Sequence, residues 1–188
     1  MAVVVVPYVE PMLNPATRAV VQAVRAPHLF VQLDRGDVGA YGRLFRKLWG
    51  QGHTFVICEQ DVIPTRAQLV GILTCGHDWC CYDYDTDLYP PGPMFGLVRF
   101  SAALMGAHPH AADSALVVGK RRDLEAPWWH IDSLMARDLT IRLSGAVRDG
   151  ESCAALEGER HPWRRAGCVI HTPPVQHAHV GVPSGPLR

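Results

Sequence analysis

The chain has 188 residues, of which 48% are hydrophobic, and its 18 basic and 18 acidic side chains cancel. That length carries one domain with a real core, and that apolar fraction excludes a disordered chain. Zero net charge excludes global steering toward nucleic acid or an anionic membrane, so any polyanion contact must come from a local patch.

The opening Met1-Ala-Val-Val-Val-Val-Pro7 has no basic n-region and meets proline too soon for a signal peptide. No stretch approaches the roughly 20 apolar residues of a membrane span, so a cytoplasmic protein without membrane contact is expected. Ala2 to Val6 reads as a buried first strand closed by Pro7, with a loop through Tyr8 and Glu10 to Pro11. Asn14-Pro15 is a helix start, an N-cap followed by proline at the first helical position, and Pro27 stops that helix. Leu29–Leu33 is a second strand ending at Asp34. Tyr41, Leu44, Phe45 and Leu48 then recur at helical spacing over about 40–49.

Thr54 to Cys58 is a short apolar run bounded by Gly50-Gln51-Gly52 and Pro64, the pattern of a fully buried central strand. A helix follows from the N-cap Thr65 to about Leu73. This β-α-β-α-β-α order predicts a Rossmann-like, three-layer α/β/α sandwich with a mostly parallel sheet. No Gly-x-Gly-x-x-Gly follows the first strand, which argues against a dinucleotide cofactor held in the usual way.

Beyond that half, Asp78–Tyr84 predicts a strand, 85–93 a loop, and 96–105 a strand running into a helix. Pro127 with Asp132 and Asp138 frames a helix over 126–139. Cys168-Val-Ile170 is a last apolar run before the tail His171-Thr-Pro-Pro-Val-Gln-His-Ala-His179. The domain is expected to be single, with residues 1–75 as a nucleotide half and 76–188 as an acceptor half with the tail.

The chemistry concentrates at Glu59-Gln60-Asp61, where polarity changes abruptly at the tip of the buried strand. Carboxylates there need a counter-charge, and strand carboxyl ends are where open α/β sheets bind ligands. Alternation along an extended tip would place Glu59 and Asp61 on one side, facing a divalent cation that carries phosphates. A plain polar turn explains the same triplet. His177 and His179 alternate likewise and suit a shared ion, or are structural. A mixed carboxylate–imidazole set fits Mn2+ or Mg2+, with histidine favouring Mn2+.

The six cysteines show no disulfide-scaffold density and no Cys-x-x-Cys. Cys58 and Cys168 read as small buried hydrophobes, and no Cys/His spacing matches a zinc finger. Asp132 suits a general base beside Trp128 and Trp129, and equally suits a first-turn acid at a helix N-terminus. Arg99 and Lys120-Arg121-Arg122 could receive an anion, or are a solvated face.

Four pieces taken in order carry a resemblance: the first strand with Pro7, Tyr8 and Glu10; Asp34; Glu59-Gln60-Asp61; and Trp128-Trp129-His130-Ile131-Asp132 with the late histidines. This layout resembles the small glycosyltransferases of the A-type fold found in bacteriophage genomes. The resemblance implies a metal-dependent, inverting transfer of a sugar from a nucleotide-diphosphate sugar, UDP-sugar favoured, to an acceptor hydroxyl. Pro7, Tyr8, Glu10 and Asp34 would hold the nucleotide sugar, with Tyr41 and Gln60 grouped beside them. Glu59-Gln60-Asp61 would stand in for the Asp-x-Asp metal motif, departing from it at two positions. Asp132 would be the catalytic base, and Arg99, Trp128, Trp129 and His130 would meet the acceptor. That acceptor would be a hydroxymethylated base in phage DNA, or else a virion protein or glycan, placing the enzyme in the host cytoplasm. A non-catalytic nucleotide-binding or assembly module is the rival. A nucleotidyltransferase would want a glycine-rich loop where Pro7 to Pro11 stands.

Overall fold

The computed structural model describes residues 1–37, 39–85, 96–113 and 168–178. The expected helix over 126–139, the Lys120-Arg121-Arg122 run, Trp128, Trp129, His130, Asp132 and His179 lie outside them. The elements are β1 (Val3–Tyr8), α1 (Pro15–Ala23), β2 (His28–Gln32), α2 (Ala40–Gln51), β3 (Phe55–Cys58) and β4 (Val62–Ile63). There follow α3 (Arg66–Thr74), β5 (Trp79–Asp85), β6 (Leu97–Phe100), α4 (Ala102–Ala107) and β7 (Cys168–His177). Among the described residues, no helix is long and apolar enough to cross a membrane.

Local sequence sets the helix boundaries. Asn14 caps α1 by accepting from the Ala16 N–H at 2.9 Å. Thr65 and Gln68 form a reciprocal capping box on α3, and Ser101 caps α4 through the Leu104 N–H. Gly52 closes α2 at φ 66°, a left-handed geometry that a residue with a Cβ adopts at a cost of about 1 kcal/mol.

The strands form one seven-stranded sheet in the order β2-β1-β3-β6-β5-β7-β4. It is mixed, which corrects the expectation of a mostly parallel sheet. β1 runs parallel to β2 and β3, and β5 parallel to β7, while the β3–β6, β6–β5 and β7–β4 pairings are antiparallel. The physical reason lies in the connections. The first half alternates strand and crossover helix, which enforces parallel pairing. No helix of the described residues stands between β5 and β6, and β6 returns alongside β5 in the opposite sense.

Helices cover both faces. Val5, Phe55, Ile57, Trp79, Cys81, Val98 and Phe100 pack with Tyr41, Phe45, Leu48 and Trp49 of α2 and with Leu104 and Met105 of α4. Val4, Val6, Val56, Cys58, Cys80, Tyr82 and Leu97 pack on the other face with Val21 of α1 and with Leu69 and Ile72 of α3. The alternation of neighbouring residues between the two clusters is the period-two pleat. β1 and β3 are buried on both sides, so their valines and isoleucine each contribute about 1.5–3 kcal/mol of burial. The architecture is therefore α/β, with helices above and below a mixed sheet. Strands from both expected halves belong to that single sheet.

Two strand boundaries differ from expectation. β1 continues through Pro7 to Tyr8. Val3 N–H donates to Thr54 on the β3 side, whereas Val4 N–H donates to Pro27 and Tyr8 O accepts from Leu33 on the β2 side. Pro7 falls on the β3 side, where its missing N–H ends that ladder at Val5 without disturbing β2. The tail, expected as an apolar run and then a proline-guided segment, is one strand. Between His171 and Val175 its register against β5 shifts around Pro173 and Pro174. Gln68 bridges that irregularity by donating its side-chain amide to both proline carbonyls, at 3.0 Å each.

Candidate functional site: the carboxyl edge of β1, β2 and β3

Parallel pairing brings the carboxyl ends of β2, β1 and β3 to one edge of the sheet. Asp34, Tyr8 with Glu10, and Glu59-Gln60-Asp61 therefore emerge at neighbouring strand ends. The edge is braced internally. Gln60 is buried, and its side-chain oxygen accepts from the Val9 N–H at 2.8 Å, tying the chain beyond β1 to the chain beyond β3. Its carbonyl accepts from Asn14 N–H, which fixes the start of α1. Gln60 thus acts as an internal strut at its amide oxygen, where a nucleotide contact was expected.

The strand does not stay extended through the acidic triplet. Val62 N–H donates to Glu59 O at 3.2 Å, closing a turn between β3 and β4. The alternation expected to align Glu59 with Asp61 is therefore absent. Glu59 Oε1 accepts from the Tyr41 hydroxyl at 2.9 Å. Tyr41, expected among the nucleotide contacts, is itself buried beneath this edge. Asp61 follows a different route. β4 pairs antiparallel with β7, with Val62 opposite His177, and Ala178 N–H donates to Asp61 O at 2.9 Å. That register brings His177 Nε2 to 3.3 Å from Asp61 Oδ2, with both side chains mostly buried.

The separation is that of a direct ion pair between the two side chains, whose donor atoms could also hold a divalent cation. Two adjacent ligands at about 2.1 Å from an ion stand about 3.0 Å apart at octahedral angles and about 3.4 Å apart at tetrahedral ones. The observed separation lies between these, and the imidazole adds the nitrogen donor that manganese accepts more readily than magnesium. Among the described residues, Glu59 does not join Asp61 and His177 in a compact three-ligand set.

The remaining candidates divide. Asp34 is exposed and its Oδ1 accepts from Gly36 N–H at 2.8 Å, an Asx turn that leaves the other carboxylate oxygen at the edge. Pro7 is buried, Tyr8 half-buried and Glu10 exposed. Arg99, expected to meet the acceptor, lies in β6 opposite Val56 and Cys80, and its guanidinium donates to the His77 carbonyl ahead of β5. Because β5 runs the same way as β3, that carbonyl belongs to the opposite edge of the sheet from Asp61. Cys58 ends β3 fully buried. Burial pushes its thiol well above the ordinary range, and the charges of Glu59 and Asp61 push the same way, so it is no nucleophile at neutral pH.

A second grouping escaped the sequence reading. Cys75, Cys80 and His171 gather under the end of α3, where burial and then the nearby His77 hold the His171 imidazole below its ordinary value. The spacing of the two cysteines, with four residues between them, matches no finger pattern, and the histidine comes from a remote strand. Only the sheet register could reveal it. Comparison with protein-family models, with curated proteins and with solved structures finds no match for the chain.

Proposed function

We propose that the chain is a metal-dependent, inverting glycosyltransferase of the A-type fold. It would move a sugar from a nucleotide-diphosphate sugar, UDP-sugar in the first instance, to an acceptor hydroxyl. The observation that carries the reading is the Asp61–His177 pair, 3.3 Å apart at the carboxyl edge of the parallel strands. Carboxylate and imidazole meet there where open α/β sheets take their ligands. Asp61 and His177 would hold Mn2+ or Mg2+, which when bound supplies charge to a departing diphosphate. Asp34, Tyr8 and Glu10 stand at the neighbouring strand ends, where a nucleoside would lie. Tyr41 orients Glu59 beside it. Asp132 is proposed as the base that takes the acceptor proton, with Trp128, Trp129 and His130 around the acceptor.

The acceptor we favour is a hydroxymethylated base in phage DNA, with a virion protein or glycan next. A DNA acceptor requires local cations, since the net charge is zero. Neutralising Arg121 and Arg122 should then lower the log–log salt slope by roughly 0.9 per lost phosphate contact.

One observation favours a second reading, a non-catalytic nucleotide-binding module: Asp61 already has an internal partner in His177. Manganese-dependent UDP binding by calorimetry is predicted by the first reading, and metal-independent UDP binding by the second. Only the first predicts that UDP is released from a UDP-sugar with manganese and acceptor, and that Asp61→Asn stops the release. Equal UDP affinity with and without manganese would overturn the first reading and leave the second.

A further inference from the structure

On the face of the sheet covered by α1 and α3, β5 presents Cys80 and Tyr82, and β7 presents Val169 and His171. The register that pairs Cys80 with Val169 and Tyr82 with His171 sets these side chains in a square under the end of α3. Cys75, the C-cap residue of α3, closes over them. One ligand atom from each of Cys75, Cys80 and His171 lies within 4.8 Å of the other two.

We propose that Cys75, Cys80 and His171 form a binding site for a thiophilic transition metal, Zn2+ foremost, which pins the end of α3 to β5 and β7. Two thiolates and an imidazole are the donor set that selects zinc or copper(I) over magnesium, calcium or manganese. In a tetrahedral zinc site such donors stand about 3.5–3.8 Å apart, so closing onto the ion requires a contraction of no more than about 1.3 Å.

Two further observations point to a ligand. His171 Nε2 is buried and makes no hydrogen bond among the described residues, an arrangement that is unfavourable unless something binds it. The His77 N–H is aimed at Cys75 Sγ at 3.5 Å, the kind of backbone contact that steadies a metal thiolate. The tilted Tyr82 ring, 5.1 Å from the His171 ring, fixes the imidazole plane. Cys75 and His171 are half-exposed while Cys80 is buried, so the ion would enter over the end of α3. On uptake each thiol releases its proton to solvent as its sulfur takes the ion. The fourth position would be held by water or by the exposed His77.

The site is independent of the Asp61–His177 pair, which lies at the far end of β7. Its test uses the full chain, reduced and stripped with a chelator, then titrated with Co2+ and back-titrated with Zn2+. One equivalent of Co2+ should give a thiolate-to-metal charge-transfer band that Zn2+ abolishes, and Zn2+ should raise Tm. Cys75→Ser should weaken the band by about half, and Cys75→Ser and His171→Ala should each lower Zn2+ affinity by at least about tenfold. Both positions are half-exposed, so these variants remain informative even where the buried Cys80→Ser fails to fold. Asp61→Asn should leave the band unchanged. Absence of the band, its survival at full strength in both variants, or its loss in Asp61→Asn would overturn the assignment. So would a Cys75–Cys80 disulfide whose reduced form takes up no Co2+.

Discussion

Asp61 Oδ2 and His177 Nε2 meet 3.3 Å apart because β4 pairs antiparallel with β7, with Val62 opposite His177. Neither residue reaches the other through local sequence. The turn after β3 aims Asp61, the long strand β7 delivers His177, and Thr17 ties the junction to α1 by donating to Val62 O at 2.7 Å.

Asp61→Asn and His177→Ala should each weaken manganese-dependent UDP binding at least about tenfold, the scale on which mutation disturbs a metal site. Far-UV circular dichroism should stay that of the parent. Calorimetry with and without manganese separates this from a general loss of nucleotide affinity. Undiminished manganese dependence in both variants would remove the pair from the site.

Gln68→Ala should destabilise the fold by about 1–3 kcal/mol, because it leaves two proline carbonyls and the Thr65 N–H without their partner. Urea denaturation measures this. Gln68→Glu keeps the cap acceptor but sets a buried carboxylate oxygen against both proline carbonyls, so at neutral pH it should not recover the loss.

Phe100→Ala should cost about 3–5 kcal/mol and Phe100→Leu much less. Phe100 is fully buried, and its ring lies 5.4 Å from Phe45, 5.5 Å from Trp49, 5.4 Å from Phe55 and 6.0 Å from Trp79. It thereby couples α2 to β3 and β5. A thermal melt in which the alanine variant matches the leucine variant would show that the cluster is looser than this.

Stability should fall as pH rises above about 8.5, the ordinary thiol value. Burial, and then the Cys81 thiol 3.7 Å away, push the Cys168 thiol upward in the fold. With its folded pKa raised, Cys168 contributes stability that is fully present below the unfolded value. Above that value the unfolded chain loses a proton that the folded chain keeps. In reducing buffer, Cys168→Ala should flatten the decline by up to about 1.4 kcal/mol per pH unit. An unchanged slope would place the alkaline sensitivity at another thiol.

The first half of the fold was readable from the chain because its signals are local. Asn14-Pro15, Thr65 with Gln68, and the apolar run ending at Cys58 each determine their own backbone through caps and burial. The same locality made Asp61 stand out, as a charge at the tip of a buried strand. Strand direction was not local. β6 runs antiparallel to β3 and β5, and no periodicity in Leu97–Phe100 records that.

Tertiary structure alone decided the partners. Glu59 and Asp61 were expected on one side of an extended tip, with Asp61 the stronger ligand candidate, yet the turn gives Glu59 to Tyr41 and Asp61 to His177. Gln60, expected among the nucleotide contacts, accepts from the Val9 N–H at its side-chain oxygen and so braces the chain beyond β1 against the chain beyond β3. Cys75, Cys80 and His171 carry no recognisable spacing, because their meeting depends on the β5–β7 register and the end point of α3. Sequence by itself determined which segments are buried and where helices begin, since propensity, capping and burial act over a few residues. Which polar groups face one another was decided by strand pairing between distant segments, a long-range outcome that no short stretch encodes.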